Sequence, residues 1–368
     1  MKRRQFLRSS AAAGAVGAAA LAASSFPKPA LAQGLRELRM VTTWPKNFPG
    51  LGTSAERLAK RITSMSGGRI VVKVYAAGEL LPPFESFDAV SGGSADMYHA
   101  TEHYWQGKSK AFNFFAAVPF GMTATEMAAW VEFGGGQALW DELAAGYNLK
   151  PFQAGNTGGQ MGGWFNREIQ SIEDYKGLKI RMPGLGGEVL RHVGAAAVSL
   201  PGGEIYSALQ SGAIDATEWV GPWNDLAFGF YKITKFYYYP GFHEPGTALA
   251  CGMNLKIWEA MSPEEKSLVH SAMQAENGVV LAEFNAHNSE SLDVLRNKHK
   301  VQVRRFPNPV LGAIGQAAGE VVNEAGTSDA TTRKVYESFL EFRKKSISWT
   351  KHSEQAFWGA RLLPFKYG

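Results

Sequence analysis

The chain has 368 residues, 45% hydrophobic, 12% aromatic and 19% charged, enough for about two well-cored domains and too apolar for a disordered chain. Five of its 38 basic residues (Lys2, Arg3, Arg4, Arg8, Lys28) and none of its 33 acidic ones fall in the first 32, so the formal +5 charge belongs to that segment and the remainder balances at zero. The charge balance therefore predicts no nucleic-acid or anionic-membrane partner for the body of the protein.

Residues 1–32 read as an export signal. A charged start precedes the Ala-rich stretch 11–23, and Ala30-Leu31-Ala32 forms a small-residue cleavage site before Gln33. Arg3-Arg4-Gln5-Phe6-Leu7-Arg8 fits the twin-arginine pattern. No later run of 18 apolar residues would span a bilayer. The single cysteine, Cys251, has no disulfide partner and lies in an apolar run that reads as a buried strand.

Strand-like alternation at 35–43 is followed by helical spacing at 51–65, which stops at Gly67-Gly68. A strand at 69–75, a helix at 83–91 and a strand at 97–100 complete a β-α-β-α-β order, the pattern of an open α/β sheet. A similar unit recurs: strand 178–182, helix 187–193, strand 195–200, helix 203–210 and strand 216–219. The units end alike, with Gly93-x-x-Asp96 leading to Thr101-Glu102 and Gly212-x-x-Asp215 to Thr217-Glu218. Two lobes of one design follow, each presenting residues beyond the carboxyl end of a strand, where open α/β sheets bind ligands.

The final third differs. Ser262-Pro263-Glu264-Glu265 starts a helix that runs to about residue 300, followed by a short strand at 301–305 and helices at 308–324 and 330–346. A helix of that length braces two lobes or packs on a partner subunit. The predicted division is lobe I at 33–155, completed by strands near 247–254; lobe II at 156–246, with most ligand contacts; and a C-terminal helical region at 255–368 with the long helix 262–300.

Several motifs carry chemistry. His99-Ala100-Thr101-Glu102-His103 matches the H-x-x-E-H pattern of zinc peptidases, which needs both histidines on one helix face, yet strand-like residues stand just before it. An exported metal-dependent hydrolase on His99 and His103 is therefore one alternative. Gly184-Leu185-Gly186-Gly187 lacks the third glycine of a dinucleotide fingerprint and reads as a close-approach turn. The glycines of Asn156-Thr157-Gly158-Gly159-Gln160-Met161-Gly162-Gly163-Trp164 suit a backbone close to a ligand. Arg181, at a strand end, can clamp a carboxylate through two parallel hydrogen bonds. Glu218 and Glu244 lie among aromatics, where a carboxylate needs a cation or an arginine. His243, beside Glu244, could serve as a general base or be simply hydrogen-bonded.

These features resemble the DctP family, the solute-binding proteins of tripartite ATP-independent periplasmic (TRAP) transporters, and in particular its 2-oxo acid, TakP-like branch. The resemblance rests on Thr42-Thr43-Trp44-Pro45, the 156–164 stretch, Ile180-Arg181-Met182-Pro183, Ala216-Thr217-Glu218-Trp219 and His243-Glu244-Pro245. It implies a two-lobed periplasmic binding protein fold of the α/β class that closes over a small 2-oxo or 2-hydroxy monocarboxylate such as pyruvate, makes and breaks no bond, and docks on membrane transporter subunits. It further implies Arg181 on the carboxylate and Asn156 and Tyr104 as further solute contacts. A bridging sodium or calcium ion would sit on Gln160, Glu218, Glu244 and the Trp219 carbonyl, and the long helix could support a homodimer. Charge counting agrees: a monocarboxylate with Glu218 and Glu244 outweighs Arg181, and oxygen ligands suit these hard cations rather than zinc or copper. An aromatic acid or a polyol remains an alternative cargo, because Tyr104, Trp105, Trp164 and Trp219 could line a pocket for either.

Overall fold

The computed structural model describes residues 35–366. The export signal read at 1–32 lies outside them. Strands β1 (Arg36–Thr42), β2 (Ile70–Tyr75) and β3 (Met97–Ala100) arise where the alternation predicts them; β4 (Leu149–Asn156), β5 (Gly163–Phe165), β6 (Lys179–Arg181), β7 (Ala196–Val198), β8 (Ala216–Thr217), β9 (Phe236–Tyr239), β10 (Ala248–Asn254) and β11 (Gln302–Arg305) follow. They form two sheets, ordered β2-β1-β3-β10-β4 and β11-β9-β5-β8-β6-β7.

The sheets share one plan. In the first, β2, β1 and β3 are parallel and β10 lies antiparallel to both β3 and β4. In the second, β7, β6 and β8 are parallel and β5 lies antiparallel to both β8 and β9. The matching aspartates do the same work in each. Asp96 N–H donates to the Arg39 carbonyl while its carboxylate accepts from Arg39 N–H at 2.7 Å. Asp215 N–H donates to the Lys179 carbonyl while its carboxylate accepts from Lys179 N–H at 3.1 Å. Each aspartate thus pins the entry to the third parallel strand onto its neighbour.

The chain passes from the first sheet to the second at 157–162 and returns at 240–247, and the two passages are hydrogen-bonded to each other through Thr157 N–H to the Thr247 carbonyl and Gly241 N–H to the Gln160 carbonyl. Gly162 permits this closeness, since a β-carbon there would stand 2.3 Å from the Phe306 ring and 2.9 Å from the Pro240 carbonyl. The glycines of this stretch therefore include one that serves backbone packing rather than ligand approach.

The long helix Pro263–Asp293 begins at the capping box that the sequence contains, Ser262 with Glu265, and ends in a π-helical turn, Val294–Lys298. It braces the lobes. Its buried Glu276 pairs with Arg57 (2.7 Å) and Arg61 (3.3 Å) on the first lobe's helix Gly52–Met65. Further along, Asn288 accepts from Trp223 N–H at 3.0 Å in the second lobe. β11, the short strand expected at 301–305, then joins the second sheet by pairing with β9, so the stretch after 255 also contributes to lobe II. An apolar core under the helices Asn308–Gly326 and Ala330–Thr350 runs from Phe115 and Trp130 to Leu185 and Val189, again spanning both lobes. Cys251 is a buried residue of β10, as read. Among the described residues no helix is long and apolar enough to cross a membrane.

Candidate functional site

A cleft with about 280 Å³ of space between its atoms, its open mouth included, lies between the lobes. The first lobe contributes Trp44, His103 and Tyr104, the second Arg181, Glu218 and Trp219, and the two passages Gln160, Glu244 and Thr247. Its walls come from both lobes and from the passages between them.

Arg181 ends β6 and is 1% exposed. Its guanidinium donates to the Glu218 carboxylate and, at 3.2 Å, to the Glu218 carbonyl; it also reaches the Leu200 carbonyl at 3.2 Å and the Tyr104 hydroxyl at 3.5 Å. Burial works against its charge, but the facing Glu218 raises its pKa overall. The Trp219 ring lies 5.1 Å beneath the guanidinium, and its indole N–H is buried without a partner.

Glu244 is held by Thr247, which donates to it, and by the Gln160 amide at 3.0 Å. Burial, then the nearby Glu218 charge, pushes the Glu244 carboxyl up to about 7. Gln160 Nε2 also lies 2.9 Å from Thr157 Oγ1 and 2.8 Å from Thr247 Oγ1. Its Oε1 is buried and has no partner. His243, fully buried, brings Nε2 to 3.4 Å from Glu218. Among the described residues, Glu218, His243 and Glu244 can place ligand atoms within 4.8 Å of one another. Two carboxylates and the residue carrying a buried, unpaired amide oxygen line the cleft with a single guanidinium, a donor set fitted to a hard cation. Adding a carboxylate solute without such a cation would bury uncompensated negative charge.

The residues predicted from sequence as Arg181, Gln160, Glu218, Trp219, Glu244 and Tyr104 converge on this cleft. Asn156 does not line it: the Asn156 side-chain oxygen accepts from Gly158 N–H at 2.9 Å and its amide nitrogen is buried without a partner. The H-x-x-E-H residues do not share a helix face, because His99 ends inside β3 and Glu102 and His103 sit in the 3₁₀ turn Glu102–Trp105. His99 Nδ1 accepts from Trp44 Nε1 at 2.8 Å, and burial lowers its pKa to about 4. Glu102 is tied to Tyr98 and to Trp140 (2.5 Å) in the first lobe's core. His103 alone of the three reaches the cleft, 3.8 Å from Glu244, and burial followed by Arg181 lowers its pKa to about 3. His103, Thr157 and Thr247 were not read as wall residues. Thr247 closes the second passage, directly before β10.

Two α/β lobes joined by paired passages, with a buried anion clamp between them, define a solute-binding receptor. Residues 40–329 match the model of the bacterial extracellular solute-binding proteins, family 7 (DctP), and the chain belongs to that family. It is 39% identical, over 97% of its length and 98% of the relative's, to a monocarboxylate 2-oxoacid-binding periplasmic protein of Nostoc sp.. Among solved structures it resembles a TRAP periplasmic solute-binding protein of Pseudoalteromonas atlantica with bound sodium and pyruvate (38% identity, 90% of this chain and 99% of that one, TM-score 0.86). A Colwellia psychrerythraea counterpart with calcium and pyruvate is similar (38%, 88% and 99%, TM-score 0.85). So is a Bordetella bronchiseptica protein, a dimer with copurified calcium and picolinate (33%, 89% and 97%, TM-score 0.87).

Proposed function

We propose that the chain is the periplasmic receptor of a TRAP transporter, capturing a small 2-oxo monocarboxylate such as pyruvate together with a calcium or sodium ion. One observation carries this reading: Arg181 is buried against Glu218 beside Glu244 and the unpaired Gln160 oxygen, so the cleft holds an anion clamp and a hard-cation donor set in contact. Arg181 would hold the carboxylate, and Gln160, Glu218, Glu244 and the Trp219 carbonyl the ion. Charge balance favours calcium, which brings the clamp, the two glutamates and a monocarboxylate to neutrality where sodium leaves one negative charge. The relatives named for 2-oxo acids and those solved with pyruvate support the cargo class.

Function follows from closure about the 157–162 and 240–247 passages. Solute contacts completed by both lobes favour the closed form, and that form docks on the membrane subunits. No bond is made or broken. Export by a twin-arginine leader fits the same compartment. A homodimer would use the C-terminal segment rather than the 262–300 helix, whose buried face is already spent on its own lobes. Helix Glu354–Ala360 has no buried residue, and Trp349 before it, Phe357 on it and Leu362 and Leu363 after it are exposed.

The test is calorimetric titration of the mature protein, stripped of ligand by unfolding and refolding, with pyruvate, lactate, picolinate and mannitol, each with calcium, sodium or chelator. Binding of pyruvate that chelator weakens supports the reading. Binding of picolinate or mannitol alone overturns the cargo, and pyruvate binding indifferent to ions overturns the ion.

A further inference from the structure

The segment 218–220 brings Glu218 and Trp219 to the cleft, yet it leaves the sheet after a strand of only two residues, Ala216–Thr217. A buried acid outside the cleft, Asp225, fastens it. Asp225 Oδ1 accepts from Val220 N–H at 3.3 Å, while Oδ2 accepts from the Tyr237 hydroxyl at 2.6 Å and Trp164 Nε1 at 3.0 Å. Trp164 and Tyr237 are cross-strand partners on β5 and β9, stacked with centroids 4.0 Å apart, and Trp164 also faces Thr217 on β8. On the other side, Met161 N–H donates to the Val220 carbonyl at 3.0 Å, directly after Gln160. The backbone that follows Trp219 is thereby tied to two sheet strands and to the passage that carries Gln160.

Asp225 is 1% exposed. A core that needed only to seat an indole and a phenol could do so with a neutral acceptor, whereas a carboxylate offers lone pairs for three donors at a desolvation cost. The third donor is the one that matters to the site. We propose that Asp225 is a positioning residue for the ion: by holding Val220 N–H it fixes the direction of the Trp219 carbonyl and the reach of Glu218. This inference rests on the ion reading given above. Partners one shell away from metal ligands typically change ion affinity 10–100-fold when removed.

The experiment titrates pyruvate into wild type, Asp225→Asn and Tyr237→Phe at a series of calcium concentrations, with circular dichroism and melting recorded for each. Asp225→Asn keeps the shape but loses one acceptor; Tyr237→Phe leaves the acid with two donors. The calcium concentration for half-maximal pyruvate binding should rise about tenfold in Asp225→Asn and less, in the same direction, in Tyr237→Phe. Pyruvate affinity at saturating calcium should return to within about threefold of wild type, which loss of core stability alone does not produce. A lowered melting temperature with an unmoved calcium midpoint overturns the proposal, and if Asp225→Asn does not fold, an unmoved midpoint in Tyr237→Phe does so alone. A wild type indifferent to calcium and sodium overturns the ion reading and this inference with it, and is recognised before any variant is compared.

Discussion

The Asn224 side-chain amide donates to the Pro49 carbonyl at 3.0 Å, joining a helix of the second lobe to the loop after β1 in the first. Beside it, Phe48 packs 4.4 Å from the Phe228 ring and edge-on, at 6.2 Å, to Trp219. Such contacts contribute only while the lobes are together, so they stabilise the closed form and not the open one. Asn224→Ala removes a bond with a net value of about 1 kcal/mol, while the half-buried Pro49 carbonyl still accepts from Leu51 N–H. Solute affinity should fall about fivefold, with the closed fraction measured by small-angle scattering falling in parallel. Unchanged affinity would remove this bond from the closure mechanism.

Gly184 tests closure from the opposite side. Its φ of +62° favours glycine, and a β-carbon there would stand 3.1 Å from His103 Cβ and 3.2 Å from Asn113 Oδ1, both in the first lobe. Gly184→Ala therefore carries about 1–2 kcal/mol of backbone strain in either form, and in the closed form alone a tight contact to which His103 and Asn113 must yield by a few tenths of an ångström. Calorimetry should give a solute affinity at least tenfold weaker, a loss larger than the fall in unliganded stability accounts for. Equal losses in both measurements would mean that the glycine serves its turn only.

Arg181 separates binding from folding. Alanine there leaves Glu218 and Glu244 facing each other in the closed cleft, a defect of about 3–5 kcal/mol for a broken buried pair. Opening re-exposes the two carboxylates to water, so the fold survives and the closed form is what is lost. Pyruvate binding should weaken by more than a hundredfold in Arg181→Ala, and by less in Arg181→Lys, which keeps the charge without the two-pronged geometry. Near-normal affinity in Arg181→Ala would refute the anion site.

The parts of this architecture that were legible in sequence are those encoded locally. Alternation marked β1 to β3, the Ser262/Glu265 box marked the start of the bracing helix, and the Gly-x-x-Asp pairs marked two lobes, because Asp96 and Asp215 act on adjacent strands in the same way. The site residues were legible through resemblance, not through spacing, since Gln160, Arg181, Glu218 and Glu244 come from four separate segments. Long-range pairing was hidden. Nothing in residues 302–305 announces that they extend the second sheet beside β9. Asn156 has the composition of a ligand contact, but its oxygen is taken by Gly158 N–H, a local competition that composition does not reveal. The H-x-x-E-H spacing failed because a strand ends inside it, which places His99 and His103 on different elements.

Glu102 gives the two similar lobe ends different fates. Its counterpart Glu218 faces the cleft, whereas Glu102 is sealed in the core, where Tyr98 and Trp140 hydrogen-bond to it. Burial outweighs both bonds and raises its pKa from 4.5 to about 7. The folded protein thus holds this proton more tightly than the unfolded chain does. The group's stabilising contribution is complete below about pH 4.5 and is lost as pH rises through about 7. Glu102→Gln keeps the shape of the protonated acid, with its oxygen free to accept from Trp140 and its amide to donate to Tyr98, and it cannot ionise. The melting temperature of the variant minus that of wild type should therefore increase with pH between 5 and 7 and level off above, corresponding to at most a few kcal/mol. Parallel pH profiles for the two proteins would show that Glu102 does not titrate in the folded core over this range.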